Sequence, residues 1–192
     1  MEQRSGPPRP LRFALGTFGD VDDNSRSDPA DPAAHSRHYS WPPLPTGGAR
    51  TPHAGPDALQ RVIDGERHLS PGALTLGLQL TSVDDRAVTM TAEPAEWALN
   101  NGGTVHGGIV SGWVDSALGY ATATVVEEGV VYSTLDLTVR YLRALRLDKT
   151  PAVIHAEVEH VGRSTCVVQA KVLDTDGRTC ASASGVMMLF RP

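Results

Sequence analysis

A chain of 192 residues, 40% of them apolar, is long enough for one domain with a sizeable core plus an appendage. Its net charge of −5 and pI near 5.8, with Lys and Arg scattered rather than clustered, leave no electrostatic footprint for nucleic acid. No uninterrupted apolar run approaches the roughly 20 residues that cross a bilayer, and Met1-Glu2-Gln3-Arg4-Ser5-Gly6-Pro7-Pro8 lacks a signal peptide's apolar region; a cytoplasmic protein without membrane contact is expected.

Ten of the fourteen prolines precede residue 57, among Ser, Asp and Gly and without a sustained hydrophobic period, so residues 1–55 are expected to form a disordered tail ahead of a domain at 56–192. Leu11-Arg12-Phe13-Ala14-Leu15 and Tyr39-Ser40-Trp41 are short apolar islands within it. Pro56 at a first turn and Gly65 at an end bracket a short helix with Leu59, Val62 and Ile63 on one side. A strand is predicted where Leu74, Leu76, Leu78 and Leu80 alternate with Thr75, Gly77 and Gln79, and a second where Val88, Met90 and Ala92 alternate with Thr89, Thr91 and Glu93.

The segment after the glycine-rich run Asn100-Asn101-Gly102-Gly103-Thr104-Val105-His106-Gly107-Gly108 has helical spacing: Ile109, Val110, Trp113, Val114, Ala117, Leu118 and Ala121 form one apolar stripe. Gly108, Ser111, Gly112, Asp115 and Gly119 share the other side, which places one acid among residues without bulk, where another backbone could come close. Glycines inside a helix cost roughly 1 kcal/mol each against alanine. Some requirement other than helix stability keeps them there.

Beyond the helix, Leu135, Leu137, Val139 and Tyr141 alternate with Asp136, Thr138 and Arg140, and Ile154, Ala156 and Val158 with His155, Glu157 and Glu159, so each strand has one wet face. Residues 164–174 and 178–190 form a closing hairpin about a two-residue Asp176-Gly177 turn, which sets Cys166 opposite Met187 and Cys180 opposite Leu173. The two cysteines are then not partners, and neither has neighbours at metal-ligand spacing, so free buried thiols and no metal are expected. The sum is an α+β fold, an antiparallel sheet with one long helix. Its open face and edge favour self-association.

The paired glycines at the helix mouth leave backbone N–H groups bare, with the positive end of the helix dipole behind them, and such an end attracts a developing oxyanion. A carboxylate on a largely covered helix needs a hydrogen-bond network or a chemical role. No serine sits in a G-x-S-x-G elbow, which removes a Ser/His/Asp hydrolase.

The ordered set Asn100, His106-Gly107-Gly108 and Asp115, followed by Thr134-Leu135-Asp136-Leu137-Thr138-Val139-Arg140-Tyr141-Leu142, Gly162-Arg163-Ser164 and Asp176-Gly177-Arg178, resembles the hotdog-fold acyl-CoA thioesterases of the PaaI-like, phenylacetate-degradation type over roughly residues 57–190. The resemblance implies a hotdog fold, a homodimer or homotetramer with the active site at the subunit interface, and hydrolysis of an acyl-CoA to free acid and CoA. Coenzyme A would be part of the substrate, with no separate cofactor. The Gly107 N–H, with Asn100, would polarise the carbonyl; Asp115 would act as general base or as nucleophile; Thr134 would orient the attacking water; and His106 would order the loop. Gly108, Gly162, Arg163 and Arg143 would bind substrate, the arginines through CoA phosphates, although Ala144 stands where the family commonly has proline. The acyl pocket would be apolar or aromatic in preference. Two other functions compete: a non-catalytic acyl-CoA binder or regulator, which would require loss of the acid or a fused effector, and a hydratase or dehydratase, which places its His and acid in a different loop context.

Overall fold

The computed structural model describes residues 37–42 and 54–191, so the tail predicted over 1–55 lies outside the described residues except at 37–42 and 54–55. Within that range Tyr39 and Trp41 are exposed, in backbone that is neither helix nor strand. The described elements are helices α1 (Pro56–Ile63), α2 (Pro71–Thr75) and α3 (Gly107–Ala123) and strands β1 (Leu78–Val83), β2 (Ala87–Ala92), β3 (Val131–Tyr141), β4 (Ala152–Val161), β5 (Thr165–Leu173) and β6 (Thr179–Phe190). The strands form one sheet in the order β1-β2-β4-β5-β6-β3, antiparallel throughout, and α3 lies across β2 to β6. This is the α+β hotdog arrangement.

The alternation that predicted the strands supplies the core. Ala152, Ile154, Ala156 and Val158 of β4 and Cys166, Val168, Ala170 and Val172 of β5 point inward, beneath Trp113, Val114, Ala117, Leu118 and Ala121 of α3. Each fully buried Val, Leu or Ile contributes about 1.5–3 kcal/mol relative to exposure. Trp113, fully buried, donates its indole N–H to the Leu76 carbonyl at 2.9 Å, which satisfies the one polar atom on a large apolar side chain and ties the start of β1 to the helix.

Three expectations are corrected. Leu74 and Thr75 are not strand but the end of α2: the Ser70 hydroxyl accepts from Ala73 N at 3.3 Å and Pro71 stands at the first helical position, so the capping chemistry outweighs the leucine alternation, and β1 starts only after Gly77 at φ 73°. The β5–β6 turn has three residues, because Asp174 pairs with Arg178 around Thr175-Asp176-Gly177, with Gly177 at φ 73°. A compensating bulge at Cys180 sets Leu173 opposite Thr179 and then restores the expected register, so Cys166 does face Met187 while Cys180 does not face Leu173. Finally, β3 does not keep one dry face. A bulge at Leu135 puts that residue outward at 59% exposure and changes the strand's phase, so that Tyr132 and Thr134 before it and Leu137, Val139 and Tyr141 after it share the helix side.

Close packing of α3 against β6 and β3 depends on Gly185 of β6. A Cβ built there lies 2.8 Å from Leu118 Cδ1 of α3 and 3.0 Å from the backbone oxygen of Asp136. The leucine can turn, but the strand carbonyl cannot withdraw without opening the β3 ladder. Gly185→Ala is expected to destabilise by about 1–3 kcal/mol, read as a lowered urea midpoint; an unchanged midpoint would show that the sheet yields more readily than this contact implies.

Candidate active site

The loop before α3 is organised by Asn100. Its Oδ1 accepts from Gly102 N at 2.9 Å and Thr104 N at 3.3 Å, one Nδ2–H goes to Thr104 Oγ1 at 3.0 Å, and the backbone closes with Gly103 N on Asn100 O at 3.0 Å. Gly103, at φ 74°, takes the left-handed turn that other residues resist. The ends of the loop are pinned to the body of the domain by His106 N on Ala98 O at 2.7 Å and Val105 N on Leu145 O at 2.9 Å. Asn100 thus shapes the approach to α3, and its carboxamide keeps a second N–H beyond the one given to Thr104.

His106 is the N-cap of α3, and its Nδ1 accepts from Gly108 N at 2.9 Å. An accepting Nδ1 carries no proton, so in this cap the ring is neutral with its hydrogen on Nε2. Gly108 therefore has its amide engaged, whereas the Gly107 N–H meets no acceptor among the described residues. Gly107, at the helix N-terminus, lines a cavity of about 310 Å³, whose walls also include Asn100, Val110, Tyr141, Arg143 and Cys180. A volume of that order is at the small end of ligand sites. Burial pushes the Cys180 thiol up, so that wall is a thiol and not a nucleophilic thiolate.

Asp115, half buried, lies eight residues further along α3, about 12 Å at helical rise. Thr134 Oγ1 of β3 donates to its Oδ1 at 2.7 Å, the short length expected for a hydrogen bond onto a carboxylate. The sites predicted from sequence therefore fall into two groups. Asn100, His106, Gly107, Gly108 and Arg143 gather at the start of α3, while Asp115 and Thr134 stand together two turns on. The β4–β5 turn that carries Gly162 and Arg163 lies toward the second group, since Thr134 pairs with Met187 and Met187 with Cys166, beyond which the turn closes. There Gly162 N donates to Thr165 O at 2.7 Å, and the Arg163 carbonyl accepts from Arg191 Nε at 3.1 Å.

Sequence reading passed over Tyr141 as a site residue. Its hydroxyl donates to the Gly107 carbonyl at 2.8 Å and lies 2.6 Å from Ser111 Oγ, and a Cβ on Gly107 would come within 3.2 Å of its ring. Leu76 was likewise missed: its Cδ1 lies 2.8 Å from a Cβ built on Gly112, so the small-residue face of α3 is occupied there by a side chain of the same protomer. Spacing along the helix showed that the glycines admit a close neighbour, but not which one. Asp176, in the hairpin turn, binds Lys149 at 3.1 Å and Arg178 at 3.0 Å; the Lys149 hydrogen bond holds its carboxyl below the ordinary range, and the group belongs to the turn and not to the site. Among the described residues no cluster of His, Cys, Asp and Glu could hold a metal ion, and no helix is long and apolar enough to cross a membrane.

A free amide at a glycine-led helix start, a carboxylate two turns along the same helix and a six-stranded sheet around it coincide with a match of residues 102–181 to the Thioesterase superfamily. The fold is that of the hotdog thioesterases, and the chain is similar to PaaI-like proteins of that superfamily. A candidate esterase of Pseudomonas aeruginosa is 36% identical over 90 residues, which are 47% of this chain and 66% of that protein. The chain spans 58 to 66% of the length of the curated relatives it matches. Among solved structures, a hypothetical thioesterase protein of Streptococcus pneumoniae with coenzyme A superposes at TM-score 0.57 with 26% identity, over 63% of this chain and 94% of that one. The PaaI protein of the Escherichia coli phenylacetic acid degradation operon superposes at TM-score 0.61 with 22% identity, over 69% and 93%, a likeness of fold.

Proposed function

We propose that paired copies of this chain hydrolyse an acyl-CoA thioester to the free acid and CoA, at a site to which each copy gives half. The reading is carried by the division along α3. The open Gly107 N–H and the Asp115–Thr134 pair are about 12 Å apart in one protomer, too far to serve one carbonyl carbon. Strand β3 is an eleven-residue edge that exposes Leu135, and Leu142 just beyond it is 60% exposed, which favours cover by another chain. An antiparallel β3–β3 contact about a two-fold axis near the strand's middle would set the Tyr141 end of one copy beside the Thr134 end of the other. Gly107 would then face the second copy's Asp115, and Arg143 its Arg163.

Each group then has a definite task. The Gly107 N–H, backed by the helix dipole, stabilises the charge that develops on the thioester oxygen. Thr134 gives its proton to Asp115 Oδ1, so its oxygen can accept from a water whose other hydrogen goes to the remaining carboxylate oxygen; this arrangement favours the general-base role for Asp115. The paired arginines suit the phosphates of CoA. The Streptococcus pneumoniae structure with coenzyme A, and a Streptococcus mutans protein bound to acetyl-CoA at 26% identity and TM-score 0.55, support CoA as leaving group. An apolar or aromatic acyl group fits the leucine and valine lining of the fold.

Subunit complementation tests the shared site. Gly107→Pro and Asp115→Asn chains, each inactive alone, are mixed one to one and allowed to exchange. Half the pairs are then mixed, and one site in each mixed pair has both groups intact, so about a quarter of native thiol release is expected to return. No recovery after demonstrated exchange would place both groups in a single-chain site and end this reading.

A further inference from the structure

We infer that Tyr141 is a positioning residue for the oxyanion donor, acting through a hydrogen-bond chain that holds the first turn of α3; this rests on the function proposed above. Tyrosine has one hydroxyl proton and the Gly107 carbonyl can only accept, so Tyr141 donates to Gly107 O at 2.8 Å, and Ser111 Oγ, 2.6 Å away, donates to Tyr141. The accepting carbonyl shares a peptide plane with the Gly108 N–H, which is bound by His106 Nδ1 at 2.9 Å. The chain therefore runs from Ser111 through Tyr141 and the Gly107–Gly108 peptide to His106, each donor polarising the next.

This chain brackets the one amide of the turn that has no acceptor among the described residues. The Tyr141 ring closes one side of Gly107, so closely that a Cβ there would lie 3.2 Å from its Cζ, and the His106 cap holds the next amide, that of Gly108. What remains free is the Gly107 N–H, with its direction set before substrate arrives, which is what an oxyanion donor requires. Serine four residues along a helix commonly bonds back through its hydroxyl to the carbonyl of the preceding turn; here the Ser111 hydroxyl is directed to the tyrosine instead, and the phenol takes that place on the Gly107 carbonyl. The placement also explains a tyrosine that is 55% exposed yet twice hydrogen-bonded.

The test uses the full chain, with an acyl-CoA that the wild type turns over, and the variants Tyr141→Phe, Ser111→Ala and their double. Tyr141→Phe is expected to lower kcat by about tenfold, with KM within about twofold and the melting temperature unchanged, because the ring and its packing remain. Since both residues belong to one chain, the double variant is expected to be no slower than Tyr141→Phe alone. Wild-type kcat in Tyr141→Phe, a loss carried by KM, or multiplicative losses in the double variant would each overturn the inference while leaving the thioesterase reading intact. A wild type that releases no thiol from any acyl-CoA would overturn that reading and this one with it.

Discussion

Replacing Asp115 by Asn is expected to lower kcat for thiol release from acyl-CoA by about 10²–10⁴-fold, the range that a positioned general base contributes. The substitution is nearly isosteric, and the new side-chain carbonyl can still accept from Thr134 Oγ1, so the 2.7 Å contact between α3 and β3 survives with weaker charge assistance. Folding and oligomeric state are therefore expected to hold, and CoA binding with them, because neither Arg143 nor Arg163 is hydrogen-bonded or ion-paired to Asp115, whose side chain accepts from Thr134. Only the capacity to take a proton from water is removed. Stopped-flow or continuous thiol detection on short, medium, long-chain and aromatic acyl-CoAs measures the effect and defines the acyl preference of the wild type together. Full activity in the variant would sink the proposed chemistry. CoA binding with no thiol release by the wild type would favour the non-catalytic binder.

The second large effect is expected from Gly107→Pro, which deletes the proposed oxyanion donor without changing any side chain of the site. Position 107 is the first helical residue, where proline is well tolerated because no intrahelical acceptor waits for its nitrogen, and His106 before it is already extended at φ −62° and ψ 134° as a pre-proline residue prefers. Removing one such donor typically lowers kcat by about 10²–10³-fold. The new ring also adds a Cβ 3.2 Å from the Tyr141 Cζ, so Gly107→Ala serves as the control: it brings the same carbon but keeps the N–H. A proline variant much slower than the alanine variant isolates the amide. Equal rates in the two would assign the loss to displacement of Tyr141 and remove Gly107 as the donor.

The helix and its chemical end were legible because both depend on residues near in sequence. His106 caps Gly108 two positions on, the apolar residues of α3 recur at three and four, and the paired glycines announce a helix mouth before any partner is known. Strand positions were legible for the same reason wherever one face is buried, as in β4 and β5. The four alternating leucines from Leu74 to Leu80 were misleading at their start, since so short a run fits either element, and the Ser70-Pro71 cap upstream held the deciding information. The hairpin turn was placed at the right residues but given one too few, because Asp176-Gly177 suits either a two-residue loop or a three-residue loop with a bulge.

The sequence by itself thus determined an α+β chain with a buried central helix, a free amide at that helix's start and an acid on its small-residue side, all from local spacing. Only the tertiary structure decided what stands against that side. Thr134 reaches Asp115 and Tyr141 reaches Gly107 from opposite halves of β3, an odd number of residues apart, and in a regular strand they would face opposite ways. The single extra residue at Leu135 brings both to the helix. A bulge is a property of two paired strands and not of one, so no reading of β3 alone could have shown it.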